Sequence, residues 1–312
     1  MSILITGGCG YVGTKLTEAV LSRTRRDVTV LDTQWFGNHL EPQSRLKMLR
    51  MDVRDIDSID LSGYDTVFHL ANIANDPSVE INPYASWEIN VLATMRLIDR
   101  AARQGVKQFV FASSASVYGL KSEPNVTEDL ALVPLSEYNK TKMVAERVIM
   151  SYRAPLITTI VRPATVCGPS PRMRLDLTVN LLTMQALTKG AMTVFGGSQV
   201  RPNIHIDDLV DAYLYLFEHR IGGVYNAGFE NLTVLEIASR IAERVPAEVK
   251  VLPSNDPRSY RVCSDRLVAA GFAPRKGVAT AIEEIVAAHR DGWLKEEPVT
   301  HNVTWMKQHN LG

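Results

Sequence analysis

The stretch Thr6-Gly7-Gly8-Cys9-Gly10-Tyr11-Val12-Gly13 follows the β-rich run Ser2–Thr6 and leads into the amphipathic run Val12–Arg25. It therefore reads as a strand–turn–helix junction, with Gly7, Gly10 and Gly13 in the spacing GxxGxxG. In such a turn the first glycine permits a tight reversal and the second lets backbone approach a pyrophosphate. The third lets the helix pack closely on the strand. The helix start at Tyr11 and Val12 offers unpaired N–H groups and the positive end of the helix dipole to the same anion. The next β-rich run, Val28–Asp32, ends in an acid. A carboxylate there accepts hydrogen bonds from a ribose diol and repels a 2′-phosphate, which predicts NAD rather than NADP. Cys9 reads as a small loop filler rather than a reactive thiol.

Outward from this junction, strand-like runs recur at Leu46–Met51, Thr66–Ala71, Gln108–Ala112 and Ile157–Val161. Helix-spaced apolar residues mark Ala85–Gln104 and Tyr138–Tyr152. Continuous Val/Ile/Leu/Phe strands alternating with helices predict an α/β fold, a doubly wound parallel sheet of the Rossmann type covered on both faces. After Pro163 the pattern loosens into a Pro- and Arg-containing stretch, Ala164–Arg174. Helices are expected at Leu175–Lys189, Asp207–His219, Thr233–Val245 and Val278–Trp293, with a short strand at Gly223–Gly228. The expected division is 1–166 and 204–227 for the dinucleotide-binding domain, with 167–203 and 228–312 forming a smaller, interleaved mixed α/β lobe.

Composition narrows the function classes. The 312 residues carry 34 Lys+Arg against 34 Asp+Glu, so no net charge favours nucleic acid or an anionic membrane as partner. No run approaches the roughly 18 apolar residues of a membrane span, and no signal-peptide pattern precedes the glycine loop. Three cysteines without CxxC spacing fit a reducing cytoplasm and exclude a disulfide scaffold. Seven histidines without HExxH or similar spacing predict no metal site.

The chemistry-bearing residues follow the fifth strand. Ser113, Ser114 and Ser116 stand at its carboxyl end, the edge where open α/β sheets bind ligands. Tyr138 and Lys142 are four residues apart on a predicted helix and share a face. A phenol titrates near 10, but a neighbouring ammonium and a nicotinamide cation favour phenolate. Tyr138 is then the base for a sugar hydroxyl while hydride leaves the same carbon, with Ser114 holding the oxygen.

TGGCGYVG, Asp32, Met51-Asp52-Val53-Arg54-Asp55, HLA at 69–71, Asn90, SSASVYG and YNKTK together resemble the extended short-chain dehydrogenase/reductases. The similar branch is the NAD-dependent sugar-nucleotide epimerase/dehydratase group. The resemblance implies that Asp52 and Val53 flank the adenine and that Leu70 and Ala71 line the cofactor groove. It also implies that Asn90 orders the groove near Lys142, that Lys142 holds the nicotinamide ribose, and that Arg162-Pro163 supports the nicotinamide. Asn180 and Arg201 align with residues that hold a nucleotide diphosphate, and Arg258 and Tyr260 with the nucleotide end. Ser114 and Ser116 would face the sugar. His205 reads as structural. Family analogy further implies a homodimer through Ala85–Gln104 and Tyr138–Tyr152.

Departures from the family pattern restrict the reaction. Ala115 and Ser116 replace the acidic pair of the 4,6-dehydratases, which leaves an epimerase acting through a transient keto-sugar, at C4. A nucleotide-sugar 4-dehydrogenase is the alternative, and a non-catalytic dinucleotide sensor is disfavoured by the complete Ser114/Tyr138/Lys142 set. Ala74 stands where some 4-epimerases carry a phosphate-binding Lys, which argues against tight retention of NAD.

Overall fold

The computed structural model describes residues 2–152, 154–254 and 259–311. Its strands are β1 (Ser2–Thr6), β2 (Asp27–Asp32), β3 (Leu46–Arg50), β4 (Tyr64–His69), β5 (Gln108–Ala112) and β6 (Ile157–Pro163). They continue with β7 (Thr165–Cys167), β8 (Ala191–Phe195), β9 (Val200–His205), β10 (Gly223–Ala227), β11 (Glu230–Thr233) and β12 (Glu248–Leu252). The helices are α1 (Tyr11–Arg23), α2 (Asp76–Val79), α3 (Pro83–Trp87), α4 (Ala93–Arg103), α5 (Glu137–Ser151) and α6 (Thr178–Lys189). Then come α7 (Ile206–Glu218), α8 (Val234–Ala242), α9 (Asp265–Ala269), α10 (Val278–Arg290) and α11 (Asn302–His309).

Seven strands form one sheet in the order β10-β6-β5-β4-β1-β2-β3, with every pairing parallel. The apolar strand runs noted in the sequence are buried on both faces. Ile3, Ile5, Val28, Val30, Phe68 and Val110 pack with Leu16 and Val20 of α1 and Leu209 and Tyr213 of α7. Their neighbours Leu4, Leu31, Val67, Phe109 and Phe111 pack with Leu97 and Ile98 of α4 and Ala145 and Ile149 of α5. A period of two along each strand thus feeds two separate helix layers. The order reverses between β1 and β4, and such a switch point opens a crevice at the carboxyl ends of the strands.

The remaining strands build two small sheets, β11-β9-β7 and β12-β8. Val179, Leu182, Ile237, Ile241 and Ile282 of α6, α8 and α10 form the core beside them. The chain weaves between the two parts, since β10 returns to pair with β6 after β9 has joined the small sheet.

The helix expected over Ala85–Gln104 is present from Pro83 to Arg103, with a π-type turn in its middle. It is α3, then a wide π-type turn at Glu88–Leu92, then α4. The extra residue in that turn accompanies an inward-facing Asn90, whose amide bonds Ile73 backbone and Thr141. The last helix, α11, has a polar sequence with no apolar period to announce it. It is held by tertiary contacts, with Met306 buried and Trp305 Nε1 donating to Trp35 O at 2.7 Å.

His69 at the end of β4 makes the fold acid-sensitive. Its ring is buried between the Thr6 and Thr94 hydroxyls at 2.7 Å each. Burial, with the charge on Lys142 adding, pushes its pKa down to about 3. An unfolded histidine titrates near 6.5, so above that pH neither state gains a proton. Below it only the unfolded state does, and stability falls as pH drops toward 3. Urea melts at pH 7.0 and 5.5 should differ by about 1.2 kcal/mol more in the wild type than in His69→Asn.

Candidate active site

A cleft of about 400 Å³ opens at the switch point and runs from β2 to α5. Its floor is the glycine loop. Gly7 has φ +76°, and a Cβ there would lie 2.5 Å from Ala71 N, while a Cβ at Gly13 would lie 2.1 Å from Gly7 O. Only glycine lets β1, β4 and α1 approach this closely. Gly10 precedes α1 without any side-chain cap, so the positive helix end faces the cleft.

At one end, Asp32 takes hydrogen bonds from Cys9 N at 2.9 Å and Gln34 N at 2.7 Å. Burial nevertheless raises its pKa, those two bonds and Arg172 only partly offsetting it. Asp52 and Val53 line the same end. Burial opposes ionisation of Asp52, but bonds from Arg54 outweigh it and hold the carboxyl below its usual range.

At the other end stand Ser114, Ser116, Tyr138 and Lys142, with Pro163 and Tyr260 beside them. The Ser114 and Ser116 hydroxyls are 2.8 Å apart, and Ser116 Oγ donates to Asn139 Oδ1 at 2.5 Å. This chain of hydroxyls is fixed by the short 3₁₀ turn Ala115–Tyr118, which Ser114 caps. Burial pushes the Tyr138 phenol up to about 12, with Arg174 and then the Ser114 hydroxyl acting in the opposite direction. Lys142 is fully buried, donates to Ala112 O at 2.8 Å and lies over the Phe111 ring. Burial depresses its pKa to about 7, against the favourable charge of Glu146. The neighbour that most favours the phenolate is Arg174, a residue to which the sequence did not point. The arginine comes from another part of the chain and is bonded in bidentate fashion to Asp176 at 2.9 and 3.0 Å.

One cleft therefore joins a glycine loop at an open helix end, the carboxylate of Asp32 and a Ser/Tyr/Lys cluster. Residues 3–228 match the NAD dependent epimerase/dehydratase family. The chain belongs to that family. It is 32% identical to a Bacillus subtilis (strain 168) protein described as an uncharacterized UDP-glucose epimerase, YtcB, over 78% of this chain and 82% of that one. It is 29% identical to the UDP-glucose 4-epimerase of Corynebacterium glutamicum, over 85% and 88% of the two chains. Among solved structures it superposes on the UDP-glucuronic acid 4-epimerase of Bacillus cereus, in complex with UDP-glucuronic acid and NAD. That match has a TM-score of 0.80 and 27% identity, covering 93% of this chain and 99% of that one.

As a member of this family the protein is an NAD-dependent enzyme, and the cleft fits the cofactor. The uncapped α1 N-terminus suits a pyrophosphate, and each Asp32 oxygen has a lone pair left after its one backbone bond. Gly7, Gly10, Tyr11, Val12, Gly13, Leu70 and Ala71 all line this part of the cleft.

Four of the expected contacts need correction or restriction. Asn90 does not line the cleft. It is buried, and it bonds the loop after β4 to Thr141 next to Lys142, so it is a positioning residue. Asn180 is also buried and outside the cleft lining, where its side-chain amide accepts from Gly168 N and donates to Tyr11 Oη and Arg174 O. With those bonds made, the side chain braces the second lobe against α1 rather than facing a diphosphate. Arg201 lies on β9 opposite Leu232, outside the cleft lining. Arg258 lies outside the described residues. Conversely, sequence reasoning passed over Trp35, Phe36, Arg172, Arg174, Asn302 and Met306, all of which line the cleft. The two arginines sat in the Pro/Arg-containing stretch and carried no periodic signal.

His205 caps α7 through Asp207 N and meets Glu284 at 3.1 Å. With Asp207 and Glu284 it is the one cluster among the described residues with metal-ligand geometry. Both acids are already bonded by Lys276, at 2.7 and 2.6 Å, and Asp207 also by Lys15. The cluster knits α1, α7 and α10 together. No helix among the described residues is long and apolar enough to cross a membrane.

Proposed function

We propose that the protein is a nucleotide-sugar epimerase that oxidises a sugar hydroxyl, at C4, to a transient keto-sugar and reduces it on the other face. The single observation that carries this reading is the placement of Tyr138, Ser114 and Ser116 at one end of the cleft whose other end is Asp32. The hydride acceptor and donor for the carbinol carbon would be supplied by NAD, held at the glycine loop and Asp32. Tyr138 takes the hydroxyl proton and gives it back, and Ser114 holds the oxygen through both halves. Lys142 orients the nicotinamide ribose. Water elimination has no acid to drive it, because Ala115 and Ser116 occupy the turn beneath the sugar. The names of the relatives support a UDP-sugar as substrate.

We place the nucleotide end beyond Tyr260, whose N–H donates to Val200 O at 3.4 Å next to Arg201. In this reading 1–166 and 204–227 carry most of the dinucleotide and the remainder the nucleotide sugar. The arginines of 172–174 and the helix α11 cross that division. A homodimer through α4 and α5 is supported by exposed Tyr84, Leu92, Met95 and Met150 on and beside those helices. A cytoplasmic location is supported by the unpaired Cys9, Cys167 and Cys263.

The test is incubation with UDP-, GDP-, CDP-, ADP- and dTDP-sugars, following NADH absorbance and product stereochemistry together. Interconversion of C4 epimers without net NADH is the expected result. Net NADH with a released ketone indicates the 4-dehydrogenase instead, and inertness toward every nucleotide sugar overturns the reading.

A further inference from the structure

Arg172 is a buried cation, 3% exposed, with no ion-paired acid among the described residues. The neighbouring acid Asp176 is taken by Arg174. The guanidinium carbon of Arg172 lies 4.1 Å from the centre of the Phe36 ring, and the side chain donates to Asn302 Oδ1 at 2.6 Å and to Met173 O at 3.3 Å. An unpaired buried charge is costly, so burial pushes its pKa down to about 9, with Arg174 adding to the effect. Such a cation is held in place for a reason outside the protein's own ion pairs.

The surrounding bonds say where it points. The segment from Gly168 to Arg174 is fastened to the start of α1. Tyr11 Oη donates to Gly168 O at 2.6 Å, and Ser170 Oγ donates to Tyr11 O at 2.8 Å. Arg172 therefore lines the cleft together with the glycine loop, on a segment fastened to the start of α1, with Phe36 under its guanidinium and Asn302 beside it. The uncapped start of α1, to which this segment is bonded, is the place where a dinucleotide's pyrophosphate would be held. Of the cations lining the cleft, Lys142 is at the catalytic end and Arg174 is already paired. The opposite lip at Ala74 offers no charge.

We propose that Arg172 clamps the NAD pyrophosphate from the second lobe, and that this contact, closed over by α11 through Asn302 and Met306, keeps the cofactor bound through turnover. Charge-assisted bonds of a guanidinium to phosphate are planar and strong, and the Phe36 and Asn302 contacts pre-orient this one. A cofactor retained in this way suits a reaction that returns its hydride to the same molecule.

The experiment compares wild type, Arg172→Met and Arg172→Lys. The NAD remaining after gel filtration is measured first, followed by titrations with ADP-ribose, adenosine and UDP. Arg172→Met should weaken ADP-ribose about 10–100-fold, reduce the slope of log affinity against log salt, and lose NAD on the column. Adenosine and UDP should bind within about threefold of wild type, since one lacks the pyrophosphate and the other occupies the sugar-nucleotide site. Arg172→Lys should fall between, because it keeps the charge and loses the planar fork. Unchanged ADP-ribose affinity and NAD retention overturn the proposal. So does an equal loss for adenosine, which makes Arg172 a brace for Phe36 and Asp32, or a selective loss for UDP, which assigns it to the substrate diphosphate. If Arg172→Met does not fold, the Lys variant and the wild-type salt dependence decide alone.

Discussion

Replacing Tyr138 by phenylalanine is expected to lower kcat by about 10²–10⁴-fold with NAD affinity unchanged. The substitution removes one oxygen, and the ring still fills its partly buried place in the cleft wall beside Ser114. The pH dependence carries more information than the rate. Burial holds the phenol near 12, so at neutral pH the base is almost wholly protonated. Below that pKa the phenolate fraction rises about tenfold per pH unit. In the wild type kcat/KM should therefore climb with pH across the alkaline range, and Tyr138→Phe should be flat. Arg174→Met removes the neighbour that most favours phenolate, so its profile should move to higher pH. A Tyr138→Phe enzyme with wild-type turnover of its true substrate sinks the assignment. An Arg174→Met profile superimposable on wild type returns the electrostatic role to Lys142.

The second large effect is on stability. Beneath the catalytic end, Arg162 and Glu146 form a buried pair, with Nε and Nη2 bonds at 2.9 and 2.6 Å. Ser113 Oγ also donates to Glu146, and Arg162 Nη1 reaches Tyr118 Oη at 2.7 Å. Tyr118 in turn donates to Asn226 Oδ1 at 2.8 Å, so the network ties β5, α5, β6 and β10 together. Arg162→Met leaves an uncompensated carboxylate in the core and should cost about 3–5 kcal/mol. The pair itself contributes much less than that, because its attraction is offset by desolvation. The double variant Arg162→Met/Glu146→Leu should accordingly unfold at higher urea than Arg162→Met alone. Equal or lower stability of the double variant would show that the network matters for its neutral bonds rather than its charges. Glu146 also supports the charge on Lys142, so both variants that disturb it should lower activity more than Arg162→Lys does.

The doubly wound sheet, the glycine loop, Asp32 and the Ser114/Tyr138/Lys142 set were legible in the linear sequence, because each is a local pattern. Strands buried on both faces are continuously apolar, a tight βα turn needs glycines at set intervals, and side chains three or four residues apart share a helix face. Other features depend on which segments meet in space. The neighbour that most favours the Tyr138 phenolate is Arg174, and Arg172, Asn302 and Met306 reach the cleft lining from distant parts of the chain. Asn90 and Asn180 fit the family pattern yet face inward, because the π-type turn at Glu88–Leu92 and the fastening of Gly168 to Tyr11 direct their amides to protein partners. Periodicity and spacing record contacts within an element or between sequential ones. Burial, ion pairing and the field on a titrating group are set by neighbours from across the chain, so the packed structure alone decided them.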